Sequence, residues 1–276
     1  MQRALVLAGG GVTGIAWETG VLLGLRDEGV DVVERADLVV GTSAGSTVAA
    51  QALAADLADL YAAQLDDAHG ELTPELDLQL LATIFAELAG GRLPDQPARA
   101  RIGALALSAA TVDEPTRRAV IERRLPTHEW PERRLVVTAV DAVTGELAVF
   151  DAGSGVSLVD AVAASCAVPG VWPPVSIGER RYIDGGVRST ANADLAAGHD
   201  VVVVLAPLTG PAAATLDPEV ASLRSSGTTV VVVATDAAAA EAMGLNPLDP
   251  SYRRPAAEHG RRQGRAAAAD VAAAWG

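Results

Sequence analysis

"LVVGTSAGST", residues 38–47, decides how the chain is read. Apolar residues run into Gly41-Thr42-Ser43-Ala44-Gly45, and an alanine-rich, helix-like stretch follows. A buried strand that ends in G-x-S-x-G and turns at once into a helix lifts the serine oxygen above the sheet edge. The flanking positions, here Gly41 and Gly45, must be small because the backbone is crowded there. The same residues also fit a plain glycine turn capped by Thr42 or Ser43. The strand, turn and helix context favours the elbow and makes Ser43 a candidate nucleophile.

Upstream, "RALVLA" at 3–8 is a short apolar run leading into Gly9-Gly10-Gly11-Val12-Thr13-Gly14. A helix is expected from about Gly14, with Trp17, Val21, Leu22 and Leu25 on one apolar face and Gly29 as its stop. Backbone N–H groups of a glycine loop at a helix N-terminus converge on one small space, which suits an oxyanion or a phosphate. The spacing is also formally G-x-G-x-x-G, but a dinucleotide site wants an acid at the end of the second strand. That place is taken by Gly41-Thr42-Ser43, while Glu34 and Asp37 lie ahead of the strand or at its start. The oxyanion reading of Gly9, Gly10, Gly11 and Gly14 is the stronger one.

Downstream, residues 45–60 are expected to continue as helix. Residues 61–130 read as a helical insertion. It holds "LTPELDLQLLATIFAELAGG", with Thr73 as N-cap and Pro74 in the first turn, and then "TVDEPTRRAVIERRL". Strands are expected at 37–41, 134–141, 146–151, 200–207 and 228–236. Another is "RRYIDGG", ending at Asp184. The strands at 134–141 and 146–151 form a hairpin through Thr144-Gly145. "SLVDAVAASCAVPG" is a short helix closed by Pro169 and Gly170, and a last helix runs from Pro255. Continuous apolar strands alternating with helices indicate an α/β three-layer sandwich, a mostly parallel sheet covered on both faces. The whole of 1–276 reads as one domain with the insertion at about 61–130.

Composition narrows the function classes. The net charge of −14 argues against nucleic acid as partner and against electrostatic docking on anionic lipid. Contact with a membrane surface would then be apolar and transient. The one cysteine, Cys166, excludes an intramolecular disulfide and a cysteine metal cluster. No cluster of oxygen ligands stands near the motifs, so neither metal nor cofactor is implied. "MQRALVLAGGG" has one basic residue and too short an apolar run for an export signal. The longest apolar candidate, 156–172, is broken by Asp160, Pro169 and Gly170. The chain reads as soluble and cytoplasmic, or peripheral at a membrane.

What would activate Ser43 is the remaining question. His69 and His128 lie in the insertion, and His199 precedes a strand, at the wrong end for a site at strand C-termini. His259, in the terminal helix, alone fits the chain order of a Ser-His-Asp esterase. Asp184 ends a strand ahead of Gly185-Gly186, so its side chain can stand at the sheet edge that carries Ser43. An Asp-Gly pair is also a common turn.

Taken in order, "GGGVTG", "GTSAG", "ASCAVPGVWPPV" at 164–175 and "DGG" at 184–186 resemble the patatin-like phospholipases, over about two-thirds of the chain. The resemblance implies an acyl hydrolase with a Ser-Asp dyad and no catalytic histidine. Ser43 would be the nucleophile, Asp184 the base, and Gly9, Gly10, Gly11 and Gly14 the oxyanion loop. The block from Ala164-Ser165 to Pro169 would pack near the site. The substrate would be a lipid ester, a phospholipid or a related glycerolipid. Thr13 stands where the family often has arginine or lysine, so the loop brings no positive charge for a head group. The alternatives are a triad esterase using His259, a nucleotide-binding oxidoreductase, and a non-catalytic lipid-binding protein on the same fold.

Overall fold

Alternation along the strands assigns the two faces of the sheet. In the computed structural model, which describes all residues except 67–70, 73–78, 81–82, 85–93, 209 and 211–213, five strands form a parallel block. They are β1 (Arg3–Leu7), β2 (Leu38–Thr42), β3 (Leu135–Asp141), β7 (Val201–Ala206) and β8 (Thr229–Ala234). They pair in the order β3-β2-β1-β7-β8. Three antiparallel strands complete a mixed eight-stranded sheet: β4 (Leu147–Phe150) and β6 (Arg180–Asp184) on β3, and β5 (Val175–Ile177) on β6.

Leu5, Leu7, Val39, Val137, Val203 and Leu205 point to one face. That face is covered by α1 (Gly11–Asp27), α2 (Ala44–Ala52), α3 (Leu57–Leu65), α6 (Leu158–Ser165) and α9 (Arg253–Trp275). Val6, Val40, Val136, Val202 and Val204 point to the other, under the 191–196 segment and α7 (Leu216–Ser225). The result is the three-layer α/β sandwich read from the sequence. Two insertion helices, α4 (Gln96–Ser108) and α5 (Glu114–Arg124), lie between β2 and β3 in the chain, and α8 (Ala237–Met243) follows β8. Ile102 and Ala106 of α4 pack with Ile84, Val140 and Ile183, so the insertion shares the core of the sheet. Among the described residues, no helix is long and apolar enough to cross a membrane.

Three local expectations change. The stretch 45–60 is two helices: α2 ends, and Asp56 caps α3 by accepting from the Ala58 N–H at 2.8 Å. An acceptor side chain at that position satisfies an orphan donor and restarts the helix. The helix expected over "LTPELDLQLLATIFAELAGG" falls largely outside the described residues; residues 79–80 and 83–84 of it are helical. And α1 begins at Gly11, three residues before Gly14, and is buried all round from Val12 to Leu25 instead of along one stripe.

The cause of that burial is a glycine-to-glycine crossing with α9. A Cβ on Gly20 or Gly24 would strike the carbonyls of Ala257 and Arg261, and one on Gly260 or Gly264 those of Trp17 and Val21. Glycines four apart on both helices let the backbones touch, as small residues do wherever helices approach closely. Trp17 Nε1 donates to Gln263 Oε1 at 3.0 Å, and Arg261 and Arg265 close the far end on Asp27. In an unpacked helix Gly→Ala stabilises by about 1 kcal/mol. At this crossing Gly264→Ala should instead destabilise by roughly 1–3 kcal/mol through overpacking. Urea unfolding measures the sign, and a stabilised Gly264→Ala protein would contradict the crossing.

Candidate active site

The register places Ser43 and Asp184. Thr138 of β3 pairs with both Thr42 of β2 and Val149 of β4, so β2 and β4 lie on opposite edges of β3. Ala139 pairs with both Ala148 of β4 and Asp184 of β6. Therefore β2 and β6 share one edge of β3 and meet there end to end. Thr42 and Asp184 occupy consecutive positions on that edge. Ser43 is the next residue of the first chain, and it has to turn away.

It does so at φ 53 and ψ −117, a conformation costly for a residue with a side chain. Its peptide is held at both ends. The Ser43 N–H donates to Ser165 Oγ at 2.8 Å. The Ser43 carbonyl accepts from Ser46 Oγ at 2.6 Å and from Cys166 Sγ at 3.2 Å. Gly45 donates to the Ala8 carbonyl at 3.1 Å, and any Cβ there would strike Leu7. The elbow thus packs directly on β1, and the Ser165-Cys166 corner lies against the serine.

Asp184 lies behind it, 4% exposed, on the sheet face covered by α1, α2 and α6. Its N–H donates to the Ala167 carbonyl at 3.0 Å, and its Oδ1 accepts from the Gly186 N–H at 2.7 Å. Oδ2 is buried and takes no hydrogen bond among the described residues. Burial pushes the Asp184 carboxyl up to about 7; the Ser43 hydroxyl, the Gly186 N–H and the Arg117 guanidinium each oppose the rise. The Ser43 hydroxyl is near enough to weigh on the acid without meeting it in a bond of good geometry, which leaves Oδ2 as the open acceptor.

The glycine loop divides its donors. Gly9 donates to the Thr190 carbonyl at 2.7 Å and Gly14 to the Gly10 carbonyl at 2.9 Å. Those two glycines supply space instead of free N–H groups; a Cβ on Gly9 would sit 3.4 Å from that of Ser43. The N–H groups of Gly10 and Gly11 have no acceptor among the described residues. Gly11, at φ 63, lines the Ser43 cavity together with Ala44, Arg117, Cys166 and Trp172. That cavity holds only about 20 Å³ and adjoins a second one of about 280 Å³ across Val12, Ile15 and Arg124.

Sequence reasoning missed three residues. Arg117 and Arg124 of α5 both line the Ser43 cavity, seven residues apart with Val120 and Ile121 buried between them. The signal was an arginine at each end of an apolar helix stripe, where charge is out of place unless the stripe faces a polar site. Asn192, at φ 49, ties three strands to one loop. Its Nδ2 lies within reach of Thr42 Oγ1 at 3.1 Å, Thr138 Oγ1 at 3.3 Å, the Gly185 carbonyl at 3.4 Å and the Ser189 carbonyl at 2.7 Å. Nothing local in "STANAD" points to this. No described histidine lines the cavity. His128 and His199 bond to the backbone carbonyls of Glu122 and Ala196, His259 is half-buried in α9, and His69 lies outside the described residues.

A serine lifted on a strand-to-helix corner of an α/β sheet is the local architecture of acyl hydrolases with a nucleophile elbow. The chain belongs to a family with that architecture: the model for patatin-like phospholipases matches residues 5–197, well over half of the chain. Membership supports lipid acyl hydrolysis as the activity. Among solved structures, VipD from Legionella pneumophila is similar at 13% identity with a TM-score of 0.46, over 98% of this chain and 67% of that one. The type III effector protein ExoU is similar at 16% identity with a TM-score of 0.46, over 97% of this chain and 53% of that one. ExoU from Pseudomonas aeruginosa in complex with SpcU gives 18% identity and a TM-score of 0.37, over 95% and 52%. The chain thus spans between about half and two-thirds of the length of these proteins. No curated protein sequence matches it.

The raised Asp184 acid has a consequence for stability. A carboxyl whose folded value lies above its unfolded one favours the folded state at low pH, and that contribution is lost as pH rises toward the folded value. Between an unfolded value of 3.8 and about 7, Asp184 should cost the fold up to about 4 kcal/mol, with no further loss above pH 7. Asp184→Asn carries no buried charge. Its melting temperature should exceed that of the unmodified protein at pH 8, and the two should converge near pH 4. Parallel melting curves across that range would show that Asp184 is not buried as a charge.

Proposed function

We propose that the chain hydrolyses the carboxylic ester of a lipid, a phospholipid or related glycerolipid, through an acyl-enzyme on Ser43 with Asp184 as its base. The observation that carries this reading is the end-to-end meeting of β2 and β6, which sets the strained serine beside a carboxylate with one open oxygen. In the first step the Ser43 proton passes to Asp184 as Oγ bonds to the acyl carbonyl carbon. The carbonyl oxygen becomes an oxyanion, and the unpaired N–H groups of Gly10 and Gly11 are the donors that would receive it. One such donor is worth about 3–4 kcal/mol in comparable sites. The tetrahedral intermediate collapses, the C–O bond to the alcohol breaks, and Asp184 returns the proton to the leaving oxygen. Water, deprotonated by the same carboxylate, then clears the acyl group and restores Ser43.

A carboxylate near its ordinary value of ~3.9 is a weak base. Burial brings Asp184 to about 7, closer to the operating pH, where general-base efficiency is greatest. The rate should therefore fall on the acid side with an inflection near pH 7 that persists when every histidine is replaced. Mass spectrometry after fluorophosphonate treatment should place the adduct on Ser43. Asp184→Asn and Ser43→Ala should each lower the rate by about four orders of magnitude, and the double variant scarcely more, since the two act as one unit. An adduct only on another serine, or a folded histidine variant as inactive as Ser43→Ala, would overturn the dyad.

A further inference from the structure

The cavity beside Ser43 contains a cation with nothing assigned to it. Arg117 is 6% exposed, and its Nε and Nη1 atoms are buried with no hydrogen-bond acceptor among the described residues. Its guanidinium lies 3.9 Å from the centre of the Trp172 ring, which holds the group in place without neutralising it. Arg124 lines the same cavity, but its Nε and Nη2 atoms are taken by Glu71. Asp184 and Glu71 are close enough to act on Arg117 through space, and neither bonds to it. Burial lowers its pKa to about 10, so it stays charged at neutral pH. Leaving a buried charge without its partner is strongly destabilising, so a fold rarely keeps a buried charge that no anion meets. Among the described residues, no carboxylate forms a hydrogen bond or an ion pair with it.

We propose that Arg117 is the subsite for an anionic phosphate carried next to the scissile ester, so that the substrate is an acyl ester of the glycerol phosphate class and not a neutral glyceride. This rests on Ser43 as nucleophile, because the phosphate is located relative to the ester bound there. Arg117, Gly11 and Ser43 line one cavity, so a donor for the carbonyl oxygen and a cation for the phosphate both border the serine. The adjoining space of about 280 Å³ is bordered by Arg123, Arg124 and Arg253 against the single carboxylate of Glu71, so the lining stays net positive away from the serine. In a chain of net charge −14 this local reversal of sign selects for an anion by focusing the field inside a low-dielectric cleft.

The test compares two water-soluble esters that differ only in the phosphate: 1-hexanoylglycerol 3-phosphate and 1-hexanoylglycerol. The unmodified enzyme should favour the phosphate ester in kcat/KM. In Arg117→Gln that preference should shrink by about tenfold or more, the range of one charged hydrogen bond. Arg117→Lys should retain most of it. Binding to Ser43→Ala, measured calorimetrically, should show the same preference without catalysis, and the preference should vanish in the Ser43→Ala/Arg117→Gln protein. Equal losses on both esters, with the acid limb of the pH profile displaced, would overturn the inference and assign Arg117 to Asp184 instead. So would stabilisation of Ser43→Ala by inorganic phosphate with no preference between the esters, which would make it a free-anion site. If Ser43 is not labelled and neither ester is cleaved, the nucleophile reading itself fails. A labelled, active enzyme indifferent to the phosphate rejects only the subsite.

Discussion

One edge of β3 serves two strands. A residue in a sheet has one partner on each side, so β2 and β6 can share that edge only by stopping where they meet. Both chains must leave the plane at adjacent positions. One leaves through Ser43 into α2, and the other leaves through Asp184 into a short 3₁₀ turn, Gly185–Val187. The serine and the aspartate are neighbours because the sheet has no room for either strand to continue. The strained φ of Ser43, a cost of about 1–3 kcal/mol, is sustained by the hydrogen bonds that grip its peptide from α2 and from the Ser165-Cys166 corner. Gly185 is needed at the other exit, since a side chain there would strike Thr138. Asn192 bonds to the last residue of β2, to β3 and to the first residue after β6, and so locks the junction from the opposite face.

Net charge describes the outside of this molecule and not its site. The chain is strongly acidic, whereas the Ser43 cavity has two arginines in its wall, and among the described residues only one of them is paired with an acid. Desolvation acts on both charge types there. It raises the Asp184 carboxyl and lowers the Arg117 guanidinium, and each group's charge partly offsets the other's shift. Glu18, fully buried in α1 with no hydrogen bond of good geometry to either oxygen among the described residues, is pushed well above the ordinary carboxylate range by the same desolvation, which the nearby Ala8 N–H opposes. Ser43, Gly11 and the Arg117 cation line a space of about 20 Å³, which leaves little room for bulk water, and electrostatic effects are strongest where water is excluded.

The features legible in the sequence were those set by local chemistry. Gly41-Thr42-Ser43-Ala44-Gly45 signalled its elbow because strand, turn and helix signals sit within ten residues, and Asp184 stood out because two glycines follow a strand. The layers followed from continuous apolar strands. The features that escaped depend on partners far along the chain. The end-to-end meeting of β2 and β6 is a matter of register, and period-2 patterning is silent on which strand lies beside which. Residues 45–60 looked like one helix because Ala-rich sequence carries high propensity across the break, and only the Asp56 cap divides it. "TVDEPTRRAVIERRL" was legible only as a helix, and Arg117 and Arg124 drew no assignment, although their spacing around Val120 and Ile121 puts them on its buried side.

The C-terminal residues lie beyond the family match, yet they shape the glycine loop. Thr13 is fully buried, and both its N–H, at 3.1 Å, and its hydroxyl, at 3.4 Å, point to the Pro247 carbonyl. The same carbonyl is what a side chain on Gly11 would strike, and Leu248 lines the Ser43 cavity. Immediately afterwards α9 locks onto α1 through its glycines, fixing the helix whose first turn carries the unpaired Gly10 and Gly11 donors. A long cationic side chain at position 13 would find that space occupied by the 247–248 segment. The lack of a charge in the loop and the closure of the site from the C-terminal side are therefore one structural choice. With the loop neutral, the positive charge beside the serine comes from Arg117 of α5.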